Sequence, residues 1–266
     1  MVLGVIQGLT EFLPISSSGH LILVPRLLKW PDQGLAFDAI LHLGTLMAIL
    51  LFFRSDLFRI ARGSLLTLMN GRRAELARDP GVMILVGSIP AGVAGVLFDD
   101  FIETHLRSAI IVAAAMIIFG VLLWVSDRYS EQVRKQIRQI EALGWREVLV
   151  IGFAQALALI PGTSRSGVTI TAGLFSKLNR ELAIRFSFLL SAPITAGAGA
   201  IKLLHVVHKG VSAGEGLYLM VGLLASMLSG ILAIKLLLSL VRYYTFDMFV
   251  FYRIGLGIFI LILFVS

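Results

Sequence analysis

Gln7 and Glu11 stand four residues apart, a spacing that sets an amide and a carboxylate on one face of a helix. Pro14 breaks that helix, and Ser16, Ser17, Ser18, Gly19 and His20 follow at once. A carboxylate, an amide, three hydroxyls and an imidazole thus gather around one turn, which is the inventory of general acid–base and nucleophilic chemistry. A second run, Pro161-Gly162-Thr163-Ser164-Arg165-Ser166-Gly167, offers something different: glycine-flanked backbone, three hydroxyls and one guanidinium, with an apolar helix starting at Val168. Free amides at a helix N-terminus beside a guanidinium make an anion site suited to phosphate. The charge is the wrong one for a cation pore. One run supplies acid, base and hydroxyl groups and the other a phosphate clamp, a division of labour that fits phosphoryl chemistry.

The elements that must position these groups lie in a membrane. Of 266 residues, 58% are hydrophobic and only 15% charged, with a mean hydropathy of +0.92; soluble domains carry about a quarter charged residues. The fold class expected is an all-α integral membrane protein, a single domain over 1–266. Six spans are expected: Phe37 to Phe53, Val82 to Phe98, Ala109 to Val125, Phe186 to Leu204, Leu217 to Leu240 and Phe249 to Val265, each near the ~20 residues that cross a bilayer. Arg54, Arg59, Arg62, Arg72, Arg73 and Arg78 crowd one connection; Arg128, Arg134, Lys135, Arg138 and Arg146 crowd the one at 127–147. Both connections are expected on the cytoplasmic side. Asp99, Asp100 and Glu103 against one arginine, Arg107, put the connection between them outside, and Lys177, Arg180 and Arg185 return the start of the fourth span to the inside. The formal net charge of +7 is therefore explained by topology and anionic membrane lipid, with no nucleic acid required. The absence of cysteine excludes disulfides, thiolate metal sites and Cys nucleophiles. The N-terminus has no basic stretch and no small-residue cleavage site, so it does not read as a signal peptide.

Val2 to Val24 and Val148 to Phe175 do not read as spans, because each is apolar at both ends and broken in the middle by Pro, Gly and Ser. They are expected to be re-entrant helix pairs, since unwound backbone at membrane depth survives where protein or water satisfies its amides. The two are also alike: Gly4 to Gly19 lies over Gly152 to Gly167, Gln7 on Gln155 and Glu11 on Leu159, with one-residue gaps before and after the proline. Given the charge-derived topology, the halves at 1–126 and 148–266 form an inverted-topology repeat with its site near the midplane.

Other polar residues carry less. Asp38 and His42, four apart in the first span, either face the same cavity or cap the interface. Arg253 is expected to snorkel to the cytoplasmic headgroups. Gly92 and Gly95, Gly197 and Gly199, and Ser226 with Gly230 are expected to let helices approach closely. A type-2 phosphatidic acid phosphatase pattern fails, because Thr171 and Phe175 stand where that pattern needs a histidine and an aspartate.

Gln7-Gly-Leu-Thr-Glu11-Phe-Leu-Pro-Ile-Ser-Ser-Ser-Gly-His20 and Pro161-Gly-Thr-Ser-Arg-Ser-Gly-Val-Thr-Ile170 resemble the two signature motifs of the bacterial undecaprenyl pyrophosphate phosphatase family, the bacitracin-resistance type. The likeness covers essentially the whole chain, including Phe186-Ser-Phe-Leu-Leu-Ser-Ala-Pro193 and Ile89-Pro90. It implies removal of the terminal phosphate of a polyprenyl pyrophosphate lipid, recycling the carrier for cell-wall synthesis in a bacterial inner (plasma) membrane; the charge rule, which brings the first broken segment in from outside, puts the pocket's opening on the outer face. Glu11, Ser17, His20 and Arg165 fall on the family's catalytic positions. Gln7, Ser16, Ser18, Gly162, Thr163, Ser164, Ser166 and Gly167 are expected to hold substrate. Gln7 departs from members with Glu there, which weakens any scheme needing two carboxylates on one metal. Either Ser17 or His20 attacks phosphorus, or water does; Glu11 either activates the nucleophile or binds a divalent cation, Mg2+ or Ca2+. A homodimer is compatible with the sequence, and a lipid-phosphate transporter or flippase built on the same inverted repeat is the alternative function.

Overall fold

Each broken segment folds as two short helices with a serine-rich turn between them. The computed structural model describes residues 1–30, 34–71, 73–76, 78–106, 108–133, 136–209 and 213–265. In the first half α1 (Val2–Phe12) and α2 (Ser17–Leu27) flank the turn at Leu13–Ser16. They precede α3 (Gly34–Phe52), α4 (Arg54–Met69), α5 (Arg73–Leu76), α6 (Pro80–His105) and α7 (Ala109–Gln132). In the second half α8 (Trp145–Leu157) and α9 (Arg165–Phe175) flank the turn at Ala158–Ser164, followed by α10 (Arg180–Lys209), α11 (Ala213–Leu240) and α12 (Asp247–Val265). No strand occurs among the described residues; a single parallel bridge pairs Ile137 with Leu178.

Among the described residues five helices, α6, α7, α10, α11 and α12, are long and apolar enough to cross a membrane, and α3 joined to α4 qualifies as a sixth, bent by 75° at Phe53. The protein is thus a multi-pass, all-helical membrane protein, as the hydropathy predicts. The helices outrun the predicted spans at both ends. α6 continues past Phe98 to His105, and α10 begins at Arg180 rather than Phe186, because hydropathy marks the hydrocarbon core whereas charged helix formers extend the helix into the headgroup layer. Residues 54–69, predicted as part of a connection, form α4, on which no side chain is buried. Arg72, Arg107, Arg134 and Lys135, and the side chains of Arg73, Asp99 and Glu103, which entered the topology reading, lie outside the described residues.

Helix pairing crosses between the halves. α1 packs on α11 and α11 on α3; in the same manner α8 packs on α6 and α6 on α10, while α3 meets α10 and α7 meets α12. Equivalent glycines make close backbone approaches. A Cβ on Gly4 would collide with the carbonyl of Gly222 in α11, and one on Gly152 with the carbonyl of Gly87 in α6. Small residues thus let backbones touch where no hydrophobic drive separates protein from lipid. Ser226, predicted as such a contact, also donates to Leu41 O at 2.8 Å, and Gly230 lies against Phe12 and Ala48; Gly197, by contrast, faces open space.

At one end of the bundle, buried Asp127 accepts from Arg180 Nε at 2.6 Å and from the backbone N–H of Phe246 at 3.0 Å. Arg180 also reaches Glu131 at 2.8 Å, and Arg128 reaches Asp247 at 2.6 Å. The end of α7 and the starts of α10 and α12 are tied there, close to the 127–147 connection.

Candidate active site

The two turns meet back to back, each built on a serine with a positive φ. Ser16 (φ 75°, ψ 98°) caps α2 by accepting from Gly19 N at 3.4 Å, and Ser164 (φ 70°, ψ 113°) caps α9 by accepting from Gly167 N at 3.2 Å. Non-glycine residues avoid this region, so two such serines mark backbone held in place by its surroundings. Each capping hydroxyl touches the serine two residues on, Ser16 with Ser18 at 3.2 Å and Ser164 with Ser166 at 3.3 Å. Those second serines cross between turns: Ser18 Oγ accepts from Gly162 N at 3.1 Å, and Ser166 Oγ donates to Leu13 O at 3.3 Å. Gly162 itself has φ 92° and presses on the carbonyl of Val112, so only glycine fits there.

The residue after each capping serine points to one carboxylate. Ser17 donates its hydroxyl hydrogen to Glu11 Oε2 at 2.6 Å, and Arg165 donates from Nη2 to Glu11 Oε1 at 2.6 Å. Gln7, one turn earlier in α1, donates its amide to Glu11 Oε2 at 3.0 Å, the contact its i, i+4 spacing predicts. The other Arg165 nitrogen, Nη1, donates to the Thr195 hydroxyl of α10. The Glu11–Arg165 pair is largely buried, with side chains 10% and 20% exposed. A carboxylate bonded on one oxygen to a serine hydroxyl and on the other to a guanidinium is equipped to take a proton from that serine. At the starts of α2 and α9, the N–H groups of Ser17, Ser18, Arg165 and Ser166 have no partner among the described residues, leaving donors suited to an anion.

A narrow cleft opens on this pair, lined by Glu11, Arg165, Ser166, Thr45, Ser191 and Thr195 together with apolar Phe12, Ile49 and Phe188. The run Phe186 to Pro193 contains Ser187 and Ser191 without assigning them a role, and Thr195 lies beyond it; their i, i+4, i+8 spacing is a hydroxyl stripe on one face of α10 and is the available signal. Ser187 bonds Thr169 of α9, and Thr195 holds Arg165. His42 of α3 resolves in favour of the cavity: its Nδ1 donates to Asp38 O at 2.8 Å and its Nε2 lies 3.9 Å from Glu11 Oε2.

His20 is the predicted site residue that the structure turns away from the carboxylate. Its Nδ1 lies 2.7 Å from the carbonyl of Ser16, which can only accept, so Nδ1 carries the hydrogen and Nε2 accepts from Tyr252 Oη at 2.7 Å. Both ring nitrogens are engaged, and its hydrogen bonds pin the capping turn of α2 to α12. Thr163 is fully buried with its hydroxyl unpaired. Arg253 overturns the snorkelling expectation. It is 0% exposed, and its guanidinium points inward to the two turns, because three carbonyls left free by the broken helices are there to receive it.

Comparison with known proteins decides the family. The family model described as bacitracin resistance protein BacA matches residues 1–259. The chain belongs to the bacitracin resistance protein BacA family. Within it, undecaprenyl-diphosphatase 2 of Stutzerimonas stutzeri (strain A1501) is 48% identical over 264 residues, covering 99% of this chain and 97% of that protein. The undecaprenyl-diphosphatase of Thioalkalivibrio sulfidiphilus (strain HL-EbGR7) is 48% identical over 267 residues, covering 99% and 97%. That of Geobacter sulfurreducens (strain ATCC 51573 / DSM 12127 / PCA) is 46% identical over 257 residues, covering 96% and 94%. The motifs that carry the resemblance in the BacA-family sequence are the ones whose side chains converge here on Glu11.

Proposed function

We propose that this chain hydrolyses the terminal phosphate of undecaprenyl pyrophosphate, yielding undecaprenyl phosphate and inorganic phosphate. The observation that carries this reading is Glu11 bonded at 2.6 Å to both Ser17 Oγ and the Arg165 guanidinium, on a chain whose relatives bear the name undecaprenyl-diphosphatase along nearly their full length. Arg165 and the free amides of the second turn hold the pyrophosphate, with Thr195 fixing the guanidinium's angle. Glu11 takes the proton of Ser17 as Oγ attacks the terminal phosphorus. The bridging P–O bond breaks and its electron pair leaves on undecaprenyl phosphate. Water then attacks the phosphoserine and both of its protons leave with the released phosphate as H2PO4−, while Ser17 recovers its proton from Glu11. Ser17 is favoured over His20 as nucleophile because both nitrogens of the imidazole are occupied.

A divalent cation, Mg2+ or Ca2+, fits the residues present. Gln7 Oε1 is buried without a partner beside the Glu11 carboxylate, and a carboxylate with a few oxygens plus substrate phosphates is the usual setting of Mg2+. Glu11 and Gln7 Oε1 would hold it, and when bound it would neutralise charge on the phosphates. Among the described residues no group of three or more His, Asp or Glu side chains gathers, so the phosphates themselves would complete its shell.

The crossed pairings α1 with α11 and α8 with α6, and the matching turns at Ser16 and Ser164, support an inverted repeat whose two broken segments are re-entrant. With the arginine-rich connections inside a bacterial inner membrane, the first turn enters from outside and the cleft opens outward and laterally to lipid. A flippase would need the same clamp but not a hydroxyl donated to a carboxylate. The test is phosphate release from a soluble short-chain polyprenyl pyrophosphate by the purified chain in detergent, where no gradient exists, with and without chelator. Release abolished by Glu11→Gln, Ser17→Ala and Arg165→Ala is expected, and undiminished release in all three would remove the site.

A further inference from the structure

Arg253 sits near the start of a nineteen-residue helix whose remaining residues are almost all apolar, and it is wholly buried. Its Nη1 donates to Pro14 O at 3.4 Å, in the first turn; its Nη2 donates to Gly162 O at 3.2 Å and Thr163 O at 2.8 Å, in the second. Among the described residues no carboxylate pairs with it, and its Nε has no partner. Burying an arginine without a counter-ion is costly, and such residues at membrane depth are functional by default. What it gains is reach: a planar fork bonds carbonyls on two separate segments from two nitrogens at once, whereas an ammonium must gather all its acceptors around one nitrogen. The turns are otherwise joined directly by the Glu11–Arg165 pair and by the two serine crossings at 3.1 and 3.3 Å. Trans peptide geometry adds a consequence: a carbonyl drawn toward α12 turns the following N–H, Ser164's among them, away from it.

We infer that Arg253 is a positioning residue for phosphoryl transfer, bolting the two serine turns together from behind so that Ser17 and Arg165 stay aligned on Glu11. This rests on the reading of Ser17, Glu11 and Arg165 as the reacting group. Tyr252, the neighbouring residue, reinforces the same geometry by holding His20 in the first turn of α2 at 2.7 Å, so α12 grips both turns although it carries neither motif.

Two variants separate positioning from bulk stability. Arg253→Lys keeps the charge and loses the fork. Gly167→Ala leaves Arg253 in place in the sequence but puts a Cβ 2.6 Å from its Nη1 and 3.2 Å from Ser164 Cβ and Oγ; the far end of the flexible arginine is what can give way, which draws the fork off its carbonyls. The experiment measures kcat and KM for phosphate release from a short-chain polyprenyl pyrophosphate by the full chain in detergent, normalised to the folded fraction from thermal unfolding. Arg253→Lys is expected to lower kcat about 10- to 100-fold, the cost of a misplacement on the order of 1 Å, with KM within about threefold because the charge remains. Gly167→Ala is expected to lower kcat in the same direction. Wild-type kcat in both variants, or losses that track the folded fraction alone, would overturn the proposal. Ser17→Ala and Arg165→Ala run alongside: if they too retain release, the reading of the site is wrong, whereas if they lose it and Arg253→Lys does not, the brace alone is wrong.

Discussion

The two serine turns share a backbone and differ in chemistry. Ser16 and Ser164 adopt the same left-handed conformation, cap their helices through the glycine three residues on, and touch the serine two residues on. Side-chain identity at three equivalent positions separates them. Where the first turn has Ser17, the second has Arg165; where the first has His20, the second has Val168; and Glu11 of α1 corresponds to Leu159. A single scaffold thus presents a hydroxyl on one side and a guanidinium on the other to one carboxylate; on the proposed function these are the nucleophile and the anion clamp. The strained serines, each costing about 1–3 kcal/mol, are maintained because the partner turn and Arg253 over-determine them.

The largest break in this comparison comes from erasing what makes the first turn distinct. Ser17→Ala is expected to reduce phosphate release by at least about 10³-fold while leaving the melting temperature near that of the wild type, since the cap belongs to Ser16. Assays of the purified variant read it directly, and activity within tenfold of wild type would mean the first turn does not carry the nucleophile. The second turn is next: Arg165→Lys is expected to lose about 10²-fold, because an ammonium cannot bond Glu11 and Thr195 together as the guanidinium does. Tyr252→Phe should cost about tenfold in kcat, through a loosened His20, with little change in KM; a kcat equal to wild type would show that the first turn stands without α12. The smallest effect is expected from Ser16→Gly and Ser164→Gly. Glycine relieves the strain but gives up a few tenths of a kcal/mol as a cap and about 0.5–1 kcal/mol in chain entropy, so each should range from neutral to about 1 kcal/mol more stable in denaturation, and an unequal pair would show that the turns are not held alike.

Much of this frame is legible in the chain. Hydropathy marks the spans, proline and serine mark the breaks, and the i, i+4 spacing of Gln7 and Glu11 predicts a contact that the structure contains. The convergence of Ser17 and Arg165 on Glu11 follows from matching motifs once two broken helices face each other. What stays hidden is direction. His20 stands in the motif beside Ser17, yet its ring turns to a tyrosine 232 residues away. Arg253 reads as a snorkelling residue, because sequence shows how close an arginine is to a helix end and says nothing of the three carbonyls waiting inside. Thr195 escapes and His42 stays an open alternative for the same reason: their helices are recognisable, but which face meets the break depends on packing between distant helices.

The most direct test of Glu11 as the link between a nucleophilic serine and a phosphate clamp is to trap the enzyme with substrate labelled in its terminal phosphate and map the label by peptide mass. Label on Ser17, lost in Glu11→Gln, is the expected result. Label on His20, or turnover with no phosphoenzyme and oxygen from water delivered in a single displacement, would contradict the account.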